Sequence, residues 1–287
     1  LIIACLILAC IGGTAGGARR LFSPGLTELV ASNWGDEHER VKRLGKLTSL
    51  SLFAGIGGGL LLSLHDFLPI SHLKSYRILY LVSSLLLFSS TISIIKVKER
   101  DRPKKSTRFM RRSSLRYILK VSISNAVTGA GIGITIPLLP LWYSIVFHST
   151  LFQIGLIFTA SSIATALGSI TASRIRYNTL KLASLTRILN GIFLIGMAFS
   201  PFLLSASALY VIRNFNAGLG MPNRSTVNVR GLSEEDLGTG SSIQAMATRL
   251  AQMSSGARGY IMELGPSLPL MLGGVLQSLG GLIYFYY

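Results

Sequence analysis

Acidic residues are scarce in this chain. It holds 11 Asp and Glu against 28 Lys and Arg, and only 14% of its 287 residues are charged. Soluble domains carry about 25%. With 49% hydrophobic residues and a mean hydropathy of +0.53, the chain would aggregate in water unless lipid solvated its surface. Paired carboxylates inside apolar segments are missing too: those segments hold only Glu28 and, at an outer end, Glu263. Cation–proton exchange through buried acids therefore lacks its groups in this part of the chain. Cysteine is limited to Cys5 and Cys10. On one helix these two face different directions, because each residue turns about 100°. They read as small packing residues, not as a disulfide. CxxC, His/Cys clusters and HExxH are all absent, so no metal and no cofactor is expected. A Gly-rich phosphate loop is missing, which excludes an ATP-driven pump acting through this chain alone. An enzyme is not expected either, since no His/Asp/Glu cluster lies at one membrane depth.

Long apolar runs dominate what is present. A spanning helix needs about 20 mostly apolar residues. Nine candidates satisfy this: Leu1–Ala31, Leu44–Leu64, Tyr76–Ile95, Tyr117–Phe147, Leu151–Ser173, Leu180–Phe202, Ser205–Val227, Gly238–Ile261 and Pro266–Tyr287. Helices are expected because the bilayer core offers no water to satisfy open backbone groups. The alternation of a membrane barrel is absent. The reading is an all-α polytopic membrane protein.

Charge sets the expected orientation. Eleven Lys and Arg crowd into Lys96–Lys120, between two apolar blocks. Arg40, Lys42, Arg43, Lys46, Arg174, Arg176, Lys181, Arg224 and Arg230 fall in loops on the same expected side, and only Lys74 and Arg77 on the other. Such alternation places the basic side in the cytoplasm. The central loop and the C-terminus are then cytoplasmic, in a multi-pass protein of the cell membrane. The net charge of +17 lies in short loops, so its partner is an anionic lipid surface and not nucleic acid.

Several stretches resemble the major facilitator superfamily. GAGIGITIPLLPLWYSIVF, Gly129 to Phe147, with the following Ile154–Gly155, is similar to the first two helices of that family's C-terminal half. Gly35 to Leu62 resembles its helix 4–5 loop and helix 5, and LYVIRNFNAGLGMPNR, Leu209 to Arg224, its helix 10. The resemblance implies a two-bundle helical transporter in which the nine spans are helices 4 to 12 and the first three are missing. It divides the chain into 1–95, the remainder of the N-terminal bundle; 96–116, a basic cytoplasmic linker; and 117–287, a C-terminal six-helix bundle. Departures are clear as well. GSITASRIR, Gly168 to Arg176, has Ala172 where the family's loop motif has an acid. Cys10 stands where drug–proton antiporters carry an Arg, and Leu60 follows Gly59 where they carry Pro.

Charges inside a bilayer face a cavity or a partner. Arg213 lies eight residues into the seventh span. Arg249 lies near the middle of the eighth, with Gln252 on the same face three residues on. Asn125 is a polar contact in the fourth span, whether toward the cavity or toward a neighbouring helix. Arg20 reaches the cavity if the first helix continues to Ala31, as the resemblance implies; if the span stops at Ala18 it is a cytoplasmic anchor. Arg187 and Asn190 are expected to pack or meet lipid, because their helix is peripheral in the family. The glycine ladders Gly12–Gly17, Gly55–Gly59 and Gly129–Gly133 let helices approach closely.

The function expected from these features is secondary active transport of a small solute, anionic or polar, by alternating access, with a proton as candidate co-substrate. The alternatives are a multidrug efflux transporter of the same family and a non-transporting membrane sensor or scaffold.

Overall fold

A computed structural model describes residues 27–63, 78, 81–82, 85, 88–89, 110–253 and 258–286. Every secondary-structure element among them is helical. Residues 27–33 form a short helical segment, and α1 spans Glu37–Ser63. The following elements are α2 (Arg112–Thr135), α3 (Leu139–Phe147), α4 (Leu151–Ala172), α5 (Thr179–Ala198), α6 (Leu203–Arg230), α7 (Leu237–Gln252), α8 (Arg258–Leu264) and α9 (Leu268–Phe285). The expected fourth span is interrupted. Pro137 and Pro140 cannot donate backbone hydrogen bonds, and a 3-10 turn at Ile136–Leu138 separates α2 from α3. Most of the first and third expected spans lies outside the described residues.

Among the described residues, four stretches are long and apolar enough to cross a membrane: Arg112–Phe147, Phe152–Ala172, Thr179–Ala198 and Leu268–Phe285. Leu119, Ile123, Phe152, Leu204 and Leu282 point outward, exposed. Outward apolar side chains around a polar interior suit lipid as the solvent. α6 and α7 fall short of that apolar standard although they sit among the same helices. Their sequences carry Arg213, Arg224, Arg249 and several amides, and these side chains turn inward.

Small residues set the spacing of the helices. α9 packs on α5 and α2, α6 on α4 and α5, and α7 on α2. A Cβ at Gly131 would stand 2.7 Å from the Gly273 carbonyl, and one at Gly133 2.6 Å from the Gln252 carbonyl. The ladder at 129–133 therefore packs α2 against both α7 and α9. The ladders at 12–17 and 55–59 lie outside the described residues or side chains. Away from the linker, Leu139, Trp142, Tyr143, Leu194, Met197 and Leu270 form the main apolar core.

The end at which α2 emerges from the basic stretch is tied by polar contacts. Asp236 is buried there. It accepts from the Arg111 N–H at 3.3 Å and from Ser233 Oγ at 2.7 Å, beside the start of α2. Burial by itself would raise its pKa; the hydroxyls of Ser114 and Ser233 and the Arg111 N–H outweigh burial and hold it below the usual aspartate value of 3.8. A depressed carboxyl contributes stability that is present above its unfolded pKa and is lost as pH falls through the folded one. The purified protein should thus lose thermal stability on acidification below about pH 4, and Asp236→Asn should flatten that acid limb. Melting temperatures recorded in detergent from about pH 3 to pH 7 check this.

α1 is held by contacts with α4 and α6. Ser49 Oγ donates to the Ala166 carbonyl at 3.1 Å, and a Cβ at Gly45 would lie 2.7 Å from the Ser169 carbonyl. Arg230, the last residue of α6, pairs with Glu37, the first of α1, at 2.7 Å.

Candidate functional site

α6 organises the site, and Pro222 explains how it sits. Proline has no N–H, so the carbonyl four residues back loses its helical donor. That carbonyl belongs to Gly218, and Ser169 Oγ of α4 supplies the donor at 3.1 Å. The two helices touch backbone to backbone: a Cβ at Gly218 would lie 2.2 Å from the Thr165 carbonyl, and one at Gly168 2.0 Å from the Phe215 carbonyl. With that face pressed on α4, the stripe Tyr210, Arg213, Asn214, Ala217, Met221, Arg224, Ser225 and Asn228 is left to line a cavity of about 590 Å³.

The other walls converge on the same space. α2 contributes Asn125, Thr128, Gly129 and Ile132; α5 contributes Arg187 and Asn190; α9 contributes Gln277. α7 adds Gln244, Thr248, Arg249 and Gln252, and Thr27 and Thr48 complete the wall from the N-terminal part. Asn125, Arg213, Arg249 and Gln252 from the sequence reading are brought together here. Arg20 lies outside the described residues.

Two of the cavity's arginines escaped the sequence reading. Arg187 does not face lipid: it is 4% exposed and lines the cavity. Its Nη1 donates to Ser124 Oγ at 2.6 Å, its Nη2 to Asn125 Oδ1, and its guanidinium lies over the Tyr284 ring at 4.2 Å. Asn190 is buried too and accepts from Asn216 Nδ2 at 2.9 Å. Arg224 is not a loop residue. α6 continues three residues beyond the expected boundary Val227, to Arg230, and Arg224 reaches the cavity from within the helix, donating to the Ala217 carbonyl at 3.4 Å. The signal that could have found it was the spacing of 213, 217 and 224, which puts all three on one helical face.

A neutral polar network holds these cations. Asn125 Nδ2 donates to Asn228 Oδ1 at 3.3 Å, the Tyr284 hydroxyl donates to the same oxygen at 2.8 Å, and Gln244 Nε2 donates to the Asn228 carbonyl at 2.8 Å. Arg213, 5% exposed, donates from Nη2 to Gln277 Oε1 at 3.4 Å. Among the described residues Arg187, Arg213 and Arg224 bond to neutral groups, and no carboxylate pairs with them. The Nε atoms of Arg187 and Arg213, Gln277 Nε2 and Thr128 Oγ1 have no hydrogen-bond partner there. Burying a cation away from water is expensive unless something compensates the charge. Arg187, Arg213 and Arg224 make the described lining of the cavity positively charged.

The architecture is that of a known structure. Over 94% of this chain and 69% of the other, it superposes on the crystal structure of the human organic anion transporter MFSD10 (TETRAN), with a TM-score of 0.71 and 14% sequence identity. The chain has the major facilitator fold. No protein-family model and no curated protein matches the sequence. At 14% identity the likeness rests on how helices are placed and not on shared side chains. Within the major facilitator fold, α2 to α9 form one helical group, and α1 with residues 27–33 meets it along α4, α6 and the start of α7. The arginine cavity is lined by α2, α5, α6, α7 and α9, with Thr27 and Thr48 beside them.

Near the linker end, a smaller pocket of about 360 Å³ is lined by Glu37, His38, Arg176, Tyr177, Asn178, Thr179 and Arg230. Its opposite charges already meet in the Arg230–Glu37 pair.

Proposed function

We propose that this protein is a secondary transporter for a small organic anion, working by alternating access between two helical bundles. The observation that carries the reading is the cluster of buried Arg187 and Arg213 with half-buried Arg224, bonded among the described residues only to neutral groups and lining a cavity of about 590 Å³. A bound carboxylate or sulfonate compensates such charge and takes the free guanidinium donors in short, charge-assisted hydrogen bonds. Ile132, Ile136 and Met221 in the same lining suit an apolar body attached to the anionic head. The organic anion specificity in the name of the structural neighbour supports the same solute class.

On this reading Arg213, Arg249, Gln252, Asn125 and, from the N-terminal part, Arg20 contact the solute, with Arg187 and Arg224 added. The basic stretch 96–116 is the cytoplasmic linker between a bundle remainder at 1–95 and a bundle at 117–287. The protein sits multi-pass in a cell membrane with its C-terminus inside. The Arg230–Glu37 pair and the packing of Ser49 on Ala166 then close the cytoplasmic side. A proton as co-substrate finds no Asp, Glu or His among the described lining residues.

The test is uptake into proteoliposomes containing the full chain. Labelled naphthalenesulfonate, a permanent anion that cannot cross as a neutral acid, should enter saturably. A naphthylammonium cation of the same size should not. Equal entry of both, or entry of the cation alone, would overturn the anion reading. Saturable binding without any flux would favour a sensor.

A further inference from the structure

We propose that the smaller pocket near the linker end binds a phosphomonoester, carried by a lipid headgroup or by a soluble molecule, and that the bound phosphate ties α1 to α4, α5 and α6. Three stretches of chain meet there. The start of α1 brings Glu37 and His38, the turn between α4 and α5 brings Arg176, Tyr177 and Asn178, and the end of α6 brings Arg230. They enclose about 360 Å³, within the range of small-molecule sites, about 300–1,000 Å³. The arginine cavity is a separate space and shares no lining residue with this one.

Charge selects the ligand. The described lining sets two guanidinium groups, Arg176 and Arg230, against one carboxylate, Glu37. Glu37 engages Arg230 at Nε, 2.7 Å away. A guanidinium has five donors, so this pair does not exhaust Arg230. Arg176 makes no hydrogen bond or ion pair among the described residues. Asn178 Oδ1 accepts from the Leu180 and Lys181 N–H groups, both at 3.1 Å, which leaves its amide nitrogen as a donor. The Tyr177 hydroxyl and the His38 ring supply others. A phosphomonoester carries about −1.5 to −2 charges near neutral pH and three acceptor oxygens, which arginine forks from two sides can share. Glu37 sharpens the choice. A single negative charge gains little beside it, whereas a doubly charged phosphate gains from both arginines. The arginines are exposed, so salt screens the attraction and the affinity is modest. Because the donors belong to α1, to the α4–α5 turn and to α6, a bound phosphate adds a link beside the Arg230–Glu37 pair, where α1 packs on α4 and α6.

The experiment measures binding to the full chain in detergent at low ionic strength, by calorimetry and by the shift in melting temperature. Glycerol 3-phosphate should bind saturably and raise the melting temperature; glycerol should do neither. Arg176→Gln should weaken that binding about tenfold, the loss of one charge-assisted contact. Glu37→Gln should instead tighten it, because the acid beside the phosphate is gone, and a variant that merely damaged the fold would not bind more strongly. Arg213→Gln, in the other cavity, should leave the affinity unchanged. In nanodiscs containing phosphatidic acid, binding of glycerol 3-phosphate that persists identifies a soluble ligand, and binding that is lost identifies a lipid headgroup. No saturable binding of glycerol 3-phosphate in detergent would overturn the proposal. Binding weakened by Arg213→Gln and untouched by Arg176→Gln would overturn it as well, by placing the phosphate in the arginine cavity. Neither readout requires transport, so the result stands or falls apart from the anion reading above.

Discussion

Arg213→Gln should lower the transport efficiency for organic anions by about 10- to 100-fold, the range expected when one hydrogen bond to a charged group, about 1.5–3 kcal/mol, is lost. The geometry makes the effect specific. Arg213 is 5% exposed, lines the cavity, and among the described residues holds only Gln277 Oε1 at 3.4 Å. An arginine retained for stability would show the opposite pattern on replacement. Here the folded protein carries a buried cation paired with no carboxylate among the described residues, and removing it relieves an electrostatic penalty. Arg213→Met should therefore raise the melting temperature, by about 2–4 °C, while transport falls. Reconstituted uptake and thermal unfolding in detergent, measured on the same preparations, check both halves. A variant that lost stability together with uptake would make Arg213 a structural residue.

Gly168→Leu should abolish recovery of folded protein, and Gly218→Leu should do the same. A Cβ at these positions meets backbone at 2.0 Å and 2.2 Å, the Phe215 and Thr165 carbonyls respectively. Backbone cannot rotate aside as a side-chain tip can, so α4 and α6 must separate. Overpacking of this kind costs about 3 kcal/mol or more. In a membrane the contact is not easily replaced, because lipid tails compete equally for apolar surface and association depends on close packing. Separation would also break the Ser169 Oγ bond to Gly218 and turn the stripe from Tyr210 to Asn228 away from its cavity. Gly155 supplies the comparison. It lies on the exposed face of α4 with nothing within 4 Å of a would-be Cβ, so Gly155→Ala should stabilise the helix by about 0.5–1 kcal/mol. The monodisperse fraction after detergent extraction, together with melting temperature, distinguishes the three.

Arg213 and Arg249 were legible in the sequence because each interrupts an apolar run, and a charge there must face something other than lipid. Arg187 interrupts a run in the same way, yet its direction was not legible. Its helix offers lipid on one side and the bundle on the other, and only the closeness of α5 to α9 turns it inward. A Cβ at Gly191 would meet the Gly274 carbonyl at 2.3 Å, which brings Arg187 over Tyr284. Arg224 was hidden by counting it with the loop, since a basic residue near an expected helix end reads as an anchor. Polar Asn223, Ser225 and Asn228 surround it, and hydropathy alone ends a helix there. The cavity lets α6 continue to Arg230, because polar side chains lining a cavity do not meet hydrocarbon.

The amino-acid sequence by itself determined that the chain is helical and built for a bilayer. Those properties follow from local composition: an apolar run must bury its backbone bonds within itself, whatever its neighbours are. The close glycine contacts were foreseeable as a kind, though not as pairs. Tertiary structure alone decided which charges share a cavity. Arg187, Arg213, Arg224 and Arg249 come from three helices, and their meeting depends on how each helix is rotated about its axis. Contacts such as Gly168 on Phe215 and Gly191 on Gly274 set that rotation. These are distances between segments far apart in the chain, and no local pattern of residues encodes them.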